Sequence, residues 1–335
     1  MGYHETGQLT RLNDLVICLV TLLHDYEAEV RTSAVENIAR MAQLIASQDI
    51  FRTHISPLLQ PLASDSVMEV RSNLAVSIME CCDTNICNVL NDAFIKTDLK
   101  GIIEILLDEE NSQVQLRILN KLPSISHLLS KADKIVLSIL NMAKSQNWRV
   151  RESVAKLLPY LAESLGVQYF ETQLLREFWM PLLLDSVSDV RAACILGMPK
   201  LLTVTSATWI QSILLPQLIR IYDESVSYLT RITLLKCFAS MASTTPQTNN
   251  IPLSCPQSMT PNLLEDIVQR LLLALNDKIP NVRTIAIKCL SNIAAICDRP
   301  IVQNKIRPAL FIRARDDPDV DCKYFAQSGM DRFAY

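Results

Sequence analysis

The chain has 335 residues, of which 49% are hydrophobic, 6% aromatic and 20% charged; only six are glycine, and the net charge is −3. An average protein carries about 7% glycine. A shortage this deep argues against a doubly wound nucleotide-binding sheet, whose phosphate loop needs glycine, and against an all-β sandwich, whose turns need it. The near balance of 32 basic and 35 acidic side chains leaves no global field of the kind that marks a nucleic-acid binder.

The first predicted helix runs from Leu9 to Leu23 and is apolar on nearly every side, through Leu12, Leu15, Val16, Ile17, Leu19, Val20, Leu22 and Leu23. Its longest unbroken apolar stretch, Leu15 to Leu23, is about half of what a membrane span needs, so no membrane partner is expected. A helix that ends a stack should show a polar outer face. This one is therefore expected to be covered, either by further repeats ahead of it or by another surface.

From Asp25 onward one motif recurs: an acidic residue, a short polar turn, an apolar residue followed by Arg, and then an apolar helix. It reads Asp25…Val30-Arg31, Asp65…Val70-Arg71, Asp185…Val190-Arg191 and Asp277…Val282-Arg283. Weaker copies are Glu109…Val114-Gln115, Ser145…Val150-Arg151, Ser225…Thr230-Arg231 and Asp317…Cys322-Lys323. The last positions of the eight copies are spaced by 40, 44, 36, 40, 40, 52 and 40 residues. Each unit reads as two helices, such as Glu171 to Leu184 or Leu263 to Asn276 before a turn and Val190 to Leu202 after one. No helix pair of this size buries its apolar face alone, so successive pairs must stack. The predicted fold is all-α: a HEAT-repeat α-solenoid of about eight helix pairs, with 1–335 as a single array. The 52-residue step holds 244–261, rich in Pro, Asn and Ser/Thr, and is predicted to be an inserted inter-repeat loop.

One Arg per repeat, just inside the second helix, can reach the Asp of a neighbouring turn. Asp25, Arg31, Asp65, Arg71, Asp185, Arg191, Asp277 and Arg283 are accordingly assigned to a structural ladder that sets how repeats stack.

Chemistry finds little to stand on. The histidines, His4, His24, His54 and His127, form no metal-binding pair on one helix turn, and Cys81-Cys82 with Cys87 lacks the second ligand pair of a zinc site. No phosphate loop or nucleophile elbow is present. The chain is therefore expected to be no enzyme, with no catalytic residue, metal or cofactor. Ten cysteines without a secretory signal read as reduced, buried thiols, which predicts a cytoplasmic protein, with a nuclear location also open.

Partner contacts belong in the turns, because in a solenoid one row of turns forms an exposed ridge. Most turns are small and polar. The exception is Asn147-Trp148-Arg149-Val150-Arg151, where Trp and Arg are the residue types most enriched among binding hot spots. Tyr228-Leu229 is the corresponding apolar pair two repeats later, whereas Trp179 and Trp209 lie in first helices and are expected in the core.

Several of these residues also carry a resemblance. Trp148-Arg149-Val150-Arg151, Leu165-Gly166-Val167 with Phe170, Tyr228-Leu229 with Arg231, Asn281-Val282-Arg283, and the run Asp319-Val320-Asp321 with Lys323-Tyr324-Phe325-Ala326-Gln327 are similar to the C-terminal repeats of the HEAT-repeat scaffold (A, or structural) subunit family of protein phosphatase 2A. Residues before Asn147 resemble that family mainly through the repeat pattern. The resemblance implies that the turn ridge of the last repeats holds the catalytic subunit of a serine/threonine phosphatase, while N-terminal repeats hold a regulatory B-type subunit. Carried over position by position, it places partner contacts at Trp148, Arg149, Ser188, Tyr228, Leu229, Arg231 and Asn281. Ser188 stands where the family tends to have an aromatic residue, and the 244–261 insertion is a second departure. The family has fifteen repeats against the eight counted here, so the chain is expected to correspond to its C-terminal half. The alternative is another HEAT adaptor, such as a phosphatase 4 regulatory subunit or a nuclear transport receptor, although transport receptors are usually far more acidic than −3.

Overall fold

The computed structural model describes residues 2–242 and 260–332, with side chains from residue 12 onward. Contacts divide the chain into two compact units, Met1–Gly166 and Val167–Tyr335. The first holds the pairs α1 (Gly2–Leu23) with α2 (28–45), α3 (48–63) with α4 (Met68–Cys81), α5 (92–107) with α6 (112–128), and α7 (Lys134–Met142) with α8 (Trp148–Leu165). The second holds α9 (167–183) with α10 (Ser188–Val204), α11 (207–224) with α12 (Tyr228–Ala242), α13 (Pro261–Ala274) with α14 (Pro280–Ile293), and α15 (299–316) with α16 (Val320–Asp331). No strand occurs among the described residues. The fold is an all-α array of HEAT-type helix pairs. Most of the predicted inserted loop, 244–259, lies outside the described residues, while Thr260 caps α13 by accepting a hydrogen bond from Leu263 N and Pro261 takes the first helical position.

The valine before the repeat arginine explains the register. Val70, Val114 and Val150 in the first unit, and Val190 and Val282 in the second, are fully buried. Each buried side chain of this size stabilises the fold by about 1.5–3 kcal/mol relative to exposure, and the same helical face supplies the rest of the core. In α10 that face is Val190, Ala193, Cys194, Met198 and Leu201. Helix α10 starts two residues before the predicted Val190 because Val187, in extended backbone, turns the chain into it. Trp179 and Trp209 are both buried in first helices, and the indole N–H of Trp209 donates to Glu171.

Four described first helices widen into π-type turns; three of these, Phe170–Trp179, Ile210–Leu214 and Val302–Ile306, end two residues ahead of a proline, Pro181, Pro216 and Pro308, while the fourth, Ile95–Leu99, has Gly101 there. Proline offers no N–H to the carbonyl four residues back, and slipping the ladder to i→i+5 lets the helix continue across that gap. Hydrophobic spacing alone carries no trace of this slip.

Two glycines have steric reasons. Gly166 ends α8 at φ 91°, a conformation that a side chain resists. Gly329 lets α16 approach α14 closely, since a Cβ there would stand 2.2 Å from Ser291 Oγ. Gly101 is different: it sits inside α5 with open space where its Cβ would be.

The outer side of the first pair remains uncovered among the described residues. Val16, Leu19 and Leu23 of α1 are buried, but Leu15, Ile17 and Leu22 are exposed. Leu15, Cys18, Leu19 and Leu22 form a groove with Val30, Ala34 and Met41 of α2, about 580 Å³ in volume. The corresponding side of α4 is covered by the first pair, with Asn73 Nδ2 donating to Glu36 Oε1 and Ser77 Oγ to Val35 O.

Candidate functional site

The turns that join the helices of each pair are built around the ladder. Arg31 of α2 donates through Nη1 to the carbonyls of Asp25 and Tyr26 in its own turn, at 2.8 and 2.9 Å. Its Nε and Nη2 reach forward to Asp65 Oδ2 and Oδ1, at 2.7 and 3.0 Å. Asp65 in turn accepts from Val67 N within its own turn. One guanidinium therefore locks its own turn and holds the next. The pattern repeats at Arg71, which donates to Asp65 O and to Glu109 Oε1. In the second unit Arg283 donates to Asp277 O and to both oxygens of Asp317.

Two of these carboxylates, Asp65 and Asp317, are held below the ordinary carboxylate range. Burial alone would raise the Asp317 carboxyl, but the Arg283 guanidinium and the Asp319 N–H outweigh it and hold it low. Asp65 is held low in the same way by Arg31 and the Val67 N–H.

Not every position assigned from the sequence has the same part in this arrangement. Asp25 accepts Glu27 N in its own turn, and Asp185 accepts Val187 N. Arg191 donates through Nη1 to the carbonyls of Asp185 and Ser186, but the next turn presents Ser225 where the turns that Arg31, Arg71 and Arg283 reach present an acid. Arg231, placed among partner contacts by resemblance, is committed to the ladder: Nε and Nη2 bond Asp277 Oδ2 and Oδ1 at 2.8 and 3.2 Å, and the side chain is mostly buried. The physical reason is its register, six residues after Ser225, which gives it the same carbonyl clamp as the other ladder arginines.

In the first unit, Trp148 opens α8 behind Asn147, whose Oδ1 caps Arg149 N and whose Nδ2 donates to Ser112 Oγ. Trp148 is half-buried, and the exposed Arg149 guanidinium lies over its ring at 4.6 Å. Such a stack presents a flat cationic face to solvent.

In the second unit, Ser188 and Asn281 are exposed at the starts of α10 and α14, and Tyr228 and Leu229 are 42% and 47% exposed at the start of α12. Two further apolar residues at the turns and helix starts are exposed, Val226 (95%) and Val320 (78%), and Tyr324 (66%) is exposed one turn into α16. Val226 had a signal of its own, a lone β-branched residue in a polar turn, and Tyr324 lies in the terminal run Lys323-Tyr324-Phe325 without having been assigned a contact.

Elsewhere the chemistry is sparse. Cys81, Cys82 and Cys87 are buried, and burial pushes the Cys82 thiol up to about 12 and raises the Cys81 thiol well above its ordinary value. No group of three or more potential metal ligands occurs among the described residues. No described helix is long and apolar enough to cross a membrane.

Comparison with known proteins agrees with this architecture. Residues 10–84 match the family described as PPP2R1A-like HEAT repeat, and residues 267–297 match the HEAT repeat. The family-specific match thus falls in the N-terminal repeats, where the sequence pattern by itself is mainly the generic one. The human beta isoform of the 65 kDa regulatory (A-type) subunit of serine/threonine-protein phosphatase 2A is 28% identical over 125 residues, covering 36% of this chain and 20% of that protein. The match spans only about a fifth of that relative's length. Among solved structures, Kap95p bound to RanGDP aligns over 95% of this chain and 41% of its own with a TM-score of 0.64 at 15% identity. Kap121p bound to the SUMO protease Ulp1p aligns over 97% of this chain and 33% of its own, with a TM-score of 0.57 at 15% identity. At such identity the likeness to karyopherins concerns the fold alone. The chain is a HEAT-repeat protein similar to the scaffold subunits of protein phosphatase 2A.

Proposed function

We propose that this chain is a non-catalytic scaffold that binds a serine/threonine phosphatase catalytic subunit of the 2A type through its turns and positions it for a regulatory B-type subunit or for substrate. One observation carries the reading: in a chain similar to phosphatase 2A scaffolds, the row of turns and helix starts in the second unit leaves Val226, Tyr228, Leu229 and Val320 uncovered. The Trp148–Arg149 stack offers a second patch within the first unit. Exposed aromatic and aliphatic groups on a rigid row of helix starts are suited to anchoring a protein surface. The chain's own contribution would be positional, since a stack of helix pairs flexes by small rotations between neighbours.

Co-expression of the full chain with a 2A-type catalytic subunit, followed by affinity capture and gel filtration, tests the reading. Co-elution at one-to-one stoichiometry supports it. Failure of the folded chain to retain the subunit, with nuclear-transport cargo dominating its mass-spectrometric partners, would overturn it in favour of a transport receptor.

A further inference from the structure

Among the described residues the ladder contains one half-built rung. The four rungs described within the two units pair an Arg with an acid in the next turn: Arg31–Asp65, Arg71–Glu109, Arg231–Asp277 and Arg283–Asp317. Between the third and fourth pairs both halves are exchanged together. Gln115 replaces the Arg and turns its Nε2 back to Glu109 O, Ser145 replaces the acid, and Asn147 Nδ2 bonds Ser112 Oγ across the same junction instead. Between the fifth and sixth pairs only the acceptor is exchanged. Arg191 keeps the carbonyl clamp of a ladder arginine, at 2.7 Å to Asp185 O and 3.0 Å to Ser186 O. Ser225 stands at the acceptor position, its Oγ bonded to Ser227 O at 3.3 Å. The Nε and Nη2 donors of Arg191, which hold the acid in completed rungs, have no hydrogen-bond partner among the described residues.

A serine hydroxyl is neutral and too short to take both donors. A phosphorylated serine carries about −1.5 to −2 charge and three strong acceptor oxygens, and an arginine fork matches a phosphate in two-point geometry. Length is no obstacle. Phosphoserine reaches further than aspartate, and Glu109 shows that this register accepts an acid longer than aspartate, meeting Arg71 through Oε1. Ser225 is also approachable, being partly exposed in a surface turn beside the exposed Val226, Ser227 and Tyr228.

We propose that Ser225 is a phosphorylation site whose phosphate completes the rung to Arg191 and tightens the stacking of α12 on α10. A protein kinase would supply the group from ATP: the terminal P–O bond to ADP breaks as the bond to Ser225 Oγ forms, and the hydroxyl proton passes to the kinase's base. Hydrolysis, with water attacking phosphorus and inorganic phosphate leaving, would reopen the rung. The proposal does not depend on which partner the exposed turns bind.

The test uses the full chain with phosphoserine incorporated genetically at 225, compared with the unmodified chain, each in wild-type and Arg191→Gln backgrounds. Gln is the residue the chain itself uses at 115, where its amide still bonds a turn carbonyl, so the variant keeps the local fold. Phosphoserine is expected to slow amide exchange at the start of α12 by about tenfold and to raise Tm by about 2 °C, and both effects should vanish with Arg191→Gln. An unchanged exchange rate, or a shift that persists undiminished in the Arg191→Gln background, would overturn the closure. Phosphopeptide mapping of the chain recovered from its native cells under phosphatase inhibition tests the modification itself. Phosphate at Ser225 supports it; a 225 peptide found wholly unmodified, or carrying phosphate on Ser227 alone, defeats it.

Discussion

Arg283 and Asp317 meet with almost no contact with water. Nε and Nη2 of the arginine lie 2.9 and 2.7 Å from the two carboxylate oxygens, and the side chains are 7% and 0% exposed. The same pairing at Arg31–Asp65 is more open, at 15% and 8%. Removing one member of a buried pair leaves a stranded charge and costs about 3–5 kcal/mol, whereas replacing both with neutral groups costs much less. Arg283→Met is therefore expected to lower the midpoint of urea unfolding sharply. Adding Asp317→Asn, which keeps an acceptor for the Asp319 N–H, should recover the part due to the unpaired carboxylate, while the clamp of Arg283 on Asp277 O stays lost. Arg270→Ala, which breaks the half-exposed pair with Asp223, should cost about 0.2–1 kcal/mol.

The pH dependence follows from the same carboxylates. Asp65 and Asp317 titrate lower in the folded chain than in the unfolded one, so the unfolded state binds more protons between the two values. Their contribution is fully present above the unfolded carboxyl value of about 3.9 and is lost as pH falls through the folded values. Thermal melts recorded downward from pH 6 should show Tm dropping below about pH 4. Asp317→Asn should begin lower and fall less steeply; an identical slope would mean that this rung is not part of the acid transition.

Two glycines should respond to alanine in opposite directions. At Gly329 the added Cβ would meet Ser291 Oγ at 2.2 Å and Ser291 Cβ at 3.2 Å, and overpacking of this kind costs about 1–3 kcal/mol. Gly101 has open space and a helical backbone, where alanine gains about 0.5–1 kcal/mol. Denaturant titrations of Gly329→Ala and Gly101→Ala, read against the parent chain, check both signs.

For the turns, Tyr228→Ala gives the cleaner test, because Tyr228 is 42% exposed while Trp148 is half-buried. Loss of an anchoring aromatic weakens binding by about 2 kcal/mol. We expect Tyr228→Ala to weaken capture of a 2A-type catalytic subunit by about thirtyfold with Tm unchanged. Trp148→Ala should weaken it by a similar amount with some loss of Tm. Calorimetric titration beside thermal melts separates the two effects; unaltered affinity in both variants would remove these turns from the interface.

The sequence by itself determined the period, the all-α architecture and the register at which an arginine recurs. Each depends on near neighbours along the chain: an acid that caps its own turn, a valine that the helix face must bury, and an arginine six residues on. These recur wherever the local rule recurs, so spacing alone reveals them. Only the tertiary structure decided what those residues meet. Arg231 stands in the repeat register, six residues after Ser225, but only the fold shows that its remaining donors meet Asp277, 46 residues away. Arg191 has the same local sequence as its counterparts, yet it faces Ser225 because acceptors come from the next repeat. The exposure of Val226, the close approach at Gly329 and the groove along Leu15, Cys18 and Leu22 likewise depend on which surface the neighbouring helix pair covers. Periodicity sets which face of a helix is apolar; stacking sets which apolar groups remain in water.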